Sequence, residues 1–264
     1  AQPARASARP AGPPSAARVD RGIFRAYDIR GVVDKTLDAD VAFLIGQAVG
    51  SVMQERGLRE IVVGRDGRLS GPMLSKGLID GLRHAGCDVI DIGMVPTPVV
   101  YFATYHLHTG SGIAVTGSHN PPDYNGFKIM VGGDTLAGDA IQALYARIAE
   151  NNLSDRGGGG LQVMDLAAEY TGRIAGDIQL ERPLRVVVDA GNGVAGGIAP
   201  QVLAAVGCEV EELYCDVDGT FPNHHPDPSK PENLADVIRA LRETGAELGI
   251  AFDGDGDRLG VVTK

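Results

Sequence analysis

Between Leu248 and Val262 an apolar strand runs into Asp253-Gly-Asp-Gly-Asp257, and a second apolar segment leaves it. No other stretch constrains the fold so tightly. Alternate residues of a straight strand share a face but sit about 7 Å apart. The oxygen ligands of one Mg²⁺ lie about 2.1 Å from the ion, so no two are more than about 4.2 Å apart. Three aspartates at this spacing serve one ion only if the backbone curls, and Gly254 and Gly256 permit the curl. Without a cation the crowded carboxylates repel one another and raise their own pKa values. The segment reads as a divalent-metal loop.

At 264 residues, 44% of them apolar, the chain is long enough for two water-soluble domains with separate cores. A formal charge of −10 argues against a nucleic-acid partner and does not suggest an anionic membrane. An anionic ligand would need a local cluster of arginine, lysine and metal. Cys87, Cys208 and Cys215 are scattered without a CxxC spacing, so neither a disulfide framework nor zinc is indicated. No apolar run reaches membrane-spanning length and no signal-peptide core is present, so a cytoplasmic location is expected. Residues 1–22, rich in Ala, Pro, Arg and Ser, read as a disordered, linker-like tail. A chain that opens on Ala1 with such a tail points to an additional amino-terminal region upstream.

From Thr36 the pattern alternates helix and strand. A helical stripe Val41, Leu44, Ile45, Ala48, Val52 stops at Gly57, followed by the strand Ile61–Val63. A helix through Leu74, Leu78, Ile79 and Leu82 ends near Gly86, before the strand Val89–Ile92. Next come a helix over Pro98–His106, strands Gly112–Thr116 and Gly126–Val131, and a helix over Ala140–Ala149. Asn151–Gly160, closing on a run of glycines, is the clearest interior break. The rhythm then restarts: helix Leu166–Ile178, strand Leu184–Asp189, a turn at Ala190–Gly193, a helix to about Val206, strand Glu209–Leu213, a long Pro/His/Asp loop, helix Glu232–Glu243 and strand Leu248–Phe252. The pattern predicts an α/β protein of two successive three-layer α/β/α domains with mixed, largely parallel sheets. The expected division is a tail at 1–22, a first domain at 23–160 and a second at 161–264. Their shared rhythm suggests a duplicated unit.

The second informative segment is Thr116-Gly-Ser-His-Asn-Pro-Pro122, which leads on to Lys128. A strand ends at Thr116, Gly117 lets the backbone turn to expose Ser118, and Pro121 and Pro122 stiffen the loop. His119 adds a titratable group and Lys128 a fixed cation. A serine presented among cations and a metal fits a phosphoryl-carrying nucleophile. A polar turn in which Ser118 caps a short helix is the other reading, since neither a G-x-S-x-G elbow nor a P-loop is present. Arg65, Asp66, Arg68 and Ser70 either line a cleft or hold a strand–helix corner together. His224 and His225, adjacent on a proline-rich loop, point apart and suit a structural role better than metal ligation. Gly191-Asn-Gly193 reads as a tight turn rather than a dinucleotide fingerprint.

Four segments carry a family resemblance: Phe24-Arg-Ala-Tyr-Asp-Ile-Arg-Gly31, Gly64-Arg-Asp-Gly-Arg-Leu-Ser70, Thr116–Pro122 and Asp253–Arg258. Together, in this order, they resemble the signature segments of the α-D-phosphohexomutases, most closely the bacterial phosphomannomutase/phosphoglucomutase branch. The likeness runs from about residue 23 to 264. It implies an isomerase that moves a phosphoryl group reversibly between the 1- and 6-positions of mannose or glucose phosphates, through a phosphoserine enzyme and a 1,6-bisphosphate intermediate. By resemblance Ser118 carries the phosphoryl group, and Asp253, Asp255 and Asp257 hold one Mg²⁺ with an oxygen of phospho-Ser118. Arg30, Lys128 and Arg258 surround the transferring group and His119 lies beside the serine. Tyr27, Arg30 and Lys128 are expected to meet substrate, with glucose 1,6-bisphosphate as activator, hexose phosphates as partners, no nucleic acid, and a monomer.

The family is built from four domains and this chain ends after the second, so it is expected to lack the sugar- and phosphate-recognition half and to turn over poorly by itself. Between Lys128 and His119 as the general base, sequence offers no choice. An EF-hand loop would need glycine where Arg258 stands and glutamate where Lys264 stands. Alternatives in other classes are a metal-dependent phosphatase, which releases phosphate and needs no bisphosphate, and a non-catalytic sugar-phosphate-binding module, in which Ser118 is never phosphorylated.

Overall fold

The computed structural model describes residues 19–263; residues 1–18 of the expected tail, and Lys264, lie outside them. The remainder of that tail is built into the fold. Val19 is buried in the core and Asp20 caps a short 3₁₀ turn at Arg21–Ile23 by accepting a hydrogen bond from Gly22 N.

The first lobe contains strands β1 (Ile29–Val32), β2 (Glu60–Arg65), β3 (Asp88–Met94), β4 (Gly112–Val115), β5 (Tyr124–Val131), β6 (Asp134–Thr135) and β7 (Leu161–Val163). Helices α1 (Ala39–Glu55), α2 (Gly71–His84), α3 (Thr97–His106) and α4 (Asp139–Ala149) connect them. The sheet order is β1-β5-β4-β2-β3-β7, with β6 paired to β5. β4, β2, β3 and β7 run parallel, whereas β5 is antiparallel to both β4 and β1. Successive side chains of a strand face opposite ways, and here both faces are buried. Ile61, Val63, Ile113 and Phe127 meet α1, α2 and α4, while Val62, Ile90 and Ala114 meet α3 on the other face. β1 is too short to give a period-2 signal, yet its pairing with β5 sets the position of Arg30.

The second lobe contains α5 (Ala167–Asp177), β8 (Leu184–Asp189), α6 (Ala199–Ala205), β9 (Cys208–Leu213), α7 (Ala235–Thr244), β10 (Leu248–Phe252) and β11 (Leu259–Thr263). Its sheet order is β11-β10-β8-β9, parallel except for β11. α7 packs on Val187 through Val237 and Leu241, and Ala199 at the start of α6 joins the cluster around Val186 and Val188. Both sheets therefore contain the same four-strand unit. β5-β4-β2-β3 and β11-β10-β8-β9 agree in order and in strand direction.

Two expectations need correction. The expected division at 160/161 falls inside the first lobe, because β7 pairs parallel with β3. Asn151–Gly160 is docked on that lobe rather than a free linker: Ser154 N donates to Ser51 Oγ, and a Cβ on Gly159 would stand 2.1 Å from the Cys87 carbonyl. The helix expected to follow the Gly193 turn begins only at Ala199, after a 3₁₀ turn at Val194–Gly197, with Pro200 in its first turn, where a missing N–H costs nothing. Among the described residues no helix is long and apolar enough to cross a membrane.

Candidate active site

The β4–β5 connection carries Ser118 and the β10–β11 connection carries the three aspartates, so the two loops occupy the same place in the repeated unit. Folding sets them face to face. Ser118 Oγ donates to Asp253 Oδ2 at 2.9 Å and lies 3.3 Å from His119 Nδ1. Ser118 is 2% exposed and adopts φ +48, a left-handed conformation that costs a non-glycine residue roughly 1 kcal/mol.

Arg68, 1% exposed, holds that corner. Its Nη2 donates to the carbonyls of Ser118 (2.8 Å) and Asn120 (2.6 Å), and its Nη1 to Pro121 and Tyr124. Asp66 accepts from Gly117 N and Arg68 N, both at 3.0 Å, and faces Arg68 Nε. A Cβ on Gly117 would fall 2.3 Å from the guanidinium carbon, so only glycine lets the loop wrap the arginine. Of the two roles open to Asp66 and Arg68, the contacts support the holding one.

The aspartate loop curls as its glycines allow, with Gly256 at φ +70. One oxygen from each of Asp253, Asp255 and Asp257 falls within 4.8 Å of the others. Asp253 Oδ1 accepts from Asp257 N and Arg258 N at 3.1 Å each. Asp255 Oδ2 accepts from Thr97 Oγ1 and Lys128 Nζ, both at 2.7 Å, and the same ammonium donates to Asp257. Asp255 Oδ1 is buried with no hydrogen-bond partner. Such an orphan is costly unless a ligand completes it.

Burial pushes the Asp253 carboxyl up to about 7, with the charges of Asp255 and Asp257 adding to the effect. Burial alone would raise Asp255 too, but the Lys128 charge together with the hydrogen bonds from Lys128 and Thr97 holds Asp255 below the ordinary range. Lys128 in turn is raised: its desolvation is outweighed by the charges and hydrogen bonds of Asp255 and Asp257 together. His119 is lowered by burial and then by Arg258, whose Nη1 donates to His119 Nδ1 at 2.7 Å. Because a guanidinium only donates, this nitrogen accepts and the ring is neutral, with its proton on Nε2.

The constellation opens on a cleft of about 670 Å³ whose lining includes Tyr27, Arg30, Tyr101, Tyr124, Lys128 and Arg258. Arg30 pairs with Asp28 (2.6 Å) and donates to Asn120 (3.1 Å); Tyr27, 79% exposed, stands at the mouth. Tyr27, Arg30, Ser118, His119, Lys128, Arg258 and the three aspartates, the site residues expected from the sequence, thus fall in one region. Thr97 and Tyr101 were missed, because nothing local marks a helix start 158 positions from the carboxylate it contacts. His224 binds Asp189 at 3.0 Å and His225 donates to the His119 carbonyl at 2.6 Å; neither belongs to the cluster of possible metal ligands.

The chain matches the family models for phosphoglucomutase/phosphomannomutase alpha/beta/alpha domain I over residues 21–155 and domain II over residues 168–264. It is 59% identical over 242 residues to a phosphomannomutase/phosphoglucomutase of Pseudomonas aeruginosa, covering 92% of this chain and 52% of that one. It is 54% identical over 250 residues to a phosphoglucomutase of Neisseria meningitidis, covering 94% and 54%. A crystal structure of a phosphoglucomutase/phosphomannomutase family protein from Burkholderia thailandensis superposes with a TM-score of 0.90 at 58% identity, covering 93% of this chain and 55% of that one. The chain spans about half the length of the curated relatives it matches.

Proposed function

The chain belongs to the phosphoglucomutase/phosphomannomutase family, and from that premise we propose that it provides the phosphoryl-transfer half of a metal-dependent phosphohexomutase. The observation that carries the reading is the 2.9 Å contact between Ser118 Oγ and Asp253, made across two lobes beside Lys128 and Arg258. Ser118 is the phosphoryl carrier. Asp253, Asp255 and Asp257 hold one Mg²⁺, as their all-oxygen donor set and the orphaned Asp255 Oδ1 favour a hard cation. When bound, the ion neutralises charge on the transferring group.

A phosphoserine brings close to two negative charges to a site already carrying three carboxylates. Lys128, Arg258 and Arg30 offset that charge and hold the group in line for transfer. In the forward step the bond from phosphorus to Ser118 Oγ breaks as one forms to the free hydroxyl of a hexose 1-phosphate. The hydroxyl proton ends on Ser118. The 1,6-bisphosphate then turns over and returns its other phosphoryl to Ser118, leaving the 6-phosphate. For the base we favour neutral His119, whose Nδ1 takes a proton only once it gives up the bond from Arg258, over Lys128, which two carboxylates keep protonated. Tyr27 and Arg30 meet the sugar phosphate at the mouth of the cleft.

Incubation with glucose 1,6-bisphosphate and Mg²⁺ followed by intact mass measurement tests the carrier role. The expected result is a stable gain of one phosphoryl group that is lost in Ser118→Ala. Steady release of inorganic phosphate with no bisphosphate requirement would instead establish a phosphatase, and an unmodified protein a binding module.

A further inference from the structure

The serine corner turns on five peptide carbonyls, those of residues 117–121, and four are satisfied from within the first lobe. Gly117 O accepts from Asn120, while Arg68 takes Ser118 O, Asn120 O and Pro121 O. The fifth, His119 O, accepts from His225 Nε2 at 2.6 Å, and His225 belongs to the second lobe. A carbonyl only accepts, so His225 supplies an N–H. The donor is itself anchored. His225 O is bound by His224 Nδ1 at 3.0 Å, and His224 Nε2 meets Asp189, buried at the end of β8, at 3.0 Å. Both His224 nitrogens thus face acceptors, and the loop rests on the rigid sheet rather than on solvent-exposed backbone.

Gly254 closes the same contact: a Cβ there would lie 2.5 Å from Ser118 O. A left-handed serine persists only where its surroundings over-determine it. Here one of those determinants reaches across the lobe boundary to the residue next to the nucleophile.

We propose that His225 is a positioning residue, whose N–H on the His119 carbonyl holds the serine corner in its strained turn and aims Ser118 Oγ at the aspartates. The proposal rests on the reading of Ser118 as carrier.

The test compares His225→Gln, which keeps an N–H donor, with His225→Met, of similar length and without one. The full chain is incubated with glucose 1,6-bisphosphate and Mg²⁺, and the rate of Ser118 phosphorylation is followed by intact mass beside each variant's melting temperature. A misplacement near 1 Å slows reaction by up to about 100-fold, so His225→Met is expected to lose about 10- to 100-fold in rate and His225→Gln less than about 5-fold. The bisphosphate concentration giving half the maximal rate is expected to stay put in both. Equal rates in the two variants, or a His225→Met rate matching the native protein, overturn the positioning role alone. A native protein that gains no phosphoryl group overturns the carrier reading and this proposal with it.

Discussion

Asp253 is a buried carboxylate set among like charges. Its carboxyl, ordinarily near 3.8, is pushed up to about 7 by burial and by its two acidic neighbours. Between those values the metal-free folded state holds a proton that the unfolded chain does not. Stability of the metal-free protein is therefore expected to fall as pH rises from about 4 to about 7, then to level off. A bound cation takes the proton's place. The increase in melting temperature on adding Mg²⁺ is thus expected to be larger at pH 8 than at pH 5, read by differential scanning fluorimetry; equal increases would show that Asp253 is no ligand. The repulsion was legible in Asp253-Gly-Asp-Gly-Asp257 alone. Its uneven division was not, because the Lys128 that relieves Asp255 lies far away in sequence.

Among the elements, the close pairing of α1 and α2 sets the frame beneath the site. A Cβ on Gly81 would stand 2.0 Å from the Phe43 carbonyl, and one on Gly46 2.2 Å from the Leu78 carbonyl. Backbone meets backbone there, and nothing flexible can yield. Gly81→Val is expected to cost about 3 kcal/mol in denaturant unfolding, at the upper end for overpacking, while Mg²⁺ affinity per folded molecule stays unchanged. Tolerance of valine at native stability would refute the packing argument. The helical stripe from Val41 to Val52 was readable from period alone, but its glycine contacts were not. β7 escaped for a related reason: three exposed residues after a glycine run have no pattern until β3 offers an edge.

For the whole molecule, each lobe is chemically incomplete. The first brings Ser118, Lys128 and Thr97, the second the carboxylates, Arg258 and His225. Thr97 at the start of α3 binds Asp255 twice, by its hydroxyl to the carboxylate and by its N–H to the carbonyl at 2.9 Å. Removing only the first bond, Thr97→Val is expected to weaken Mg²⁺ binding about tenfold in calorimetric titration, as losing a partner of a metal-ligating group does. An unchanged affinity would mean that the Thr97 hydroxyl does not orient the metal loop. The repeated strand unit explains how two such loops come to correspond: each joins the last parallel strand of the unit to the antiparallel strand beside it.

The sequence by itself determined the α/β alternation, the glycine-permitted curl around three aspartates and the serine corner, because these arise from neighbours a few residues apart. Tertiary structure alone decided what those groups touch. Arg68 inside the serine corner, Thr97 on Asp255 and His225 on His119 join residues 50 to 158 positions apart. Contacts of that kind leave no local periodicity, since they form only when separate cores have packed and the buried polar groups between them must find partners.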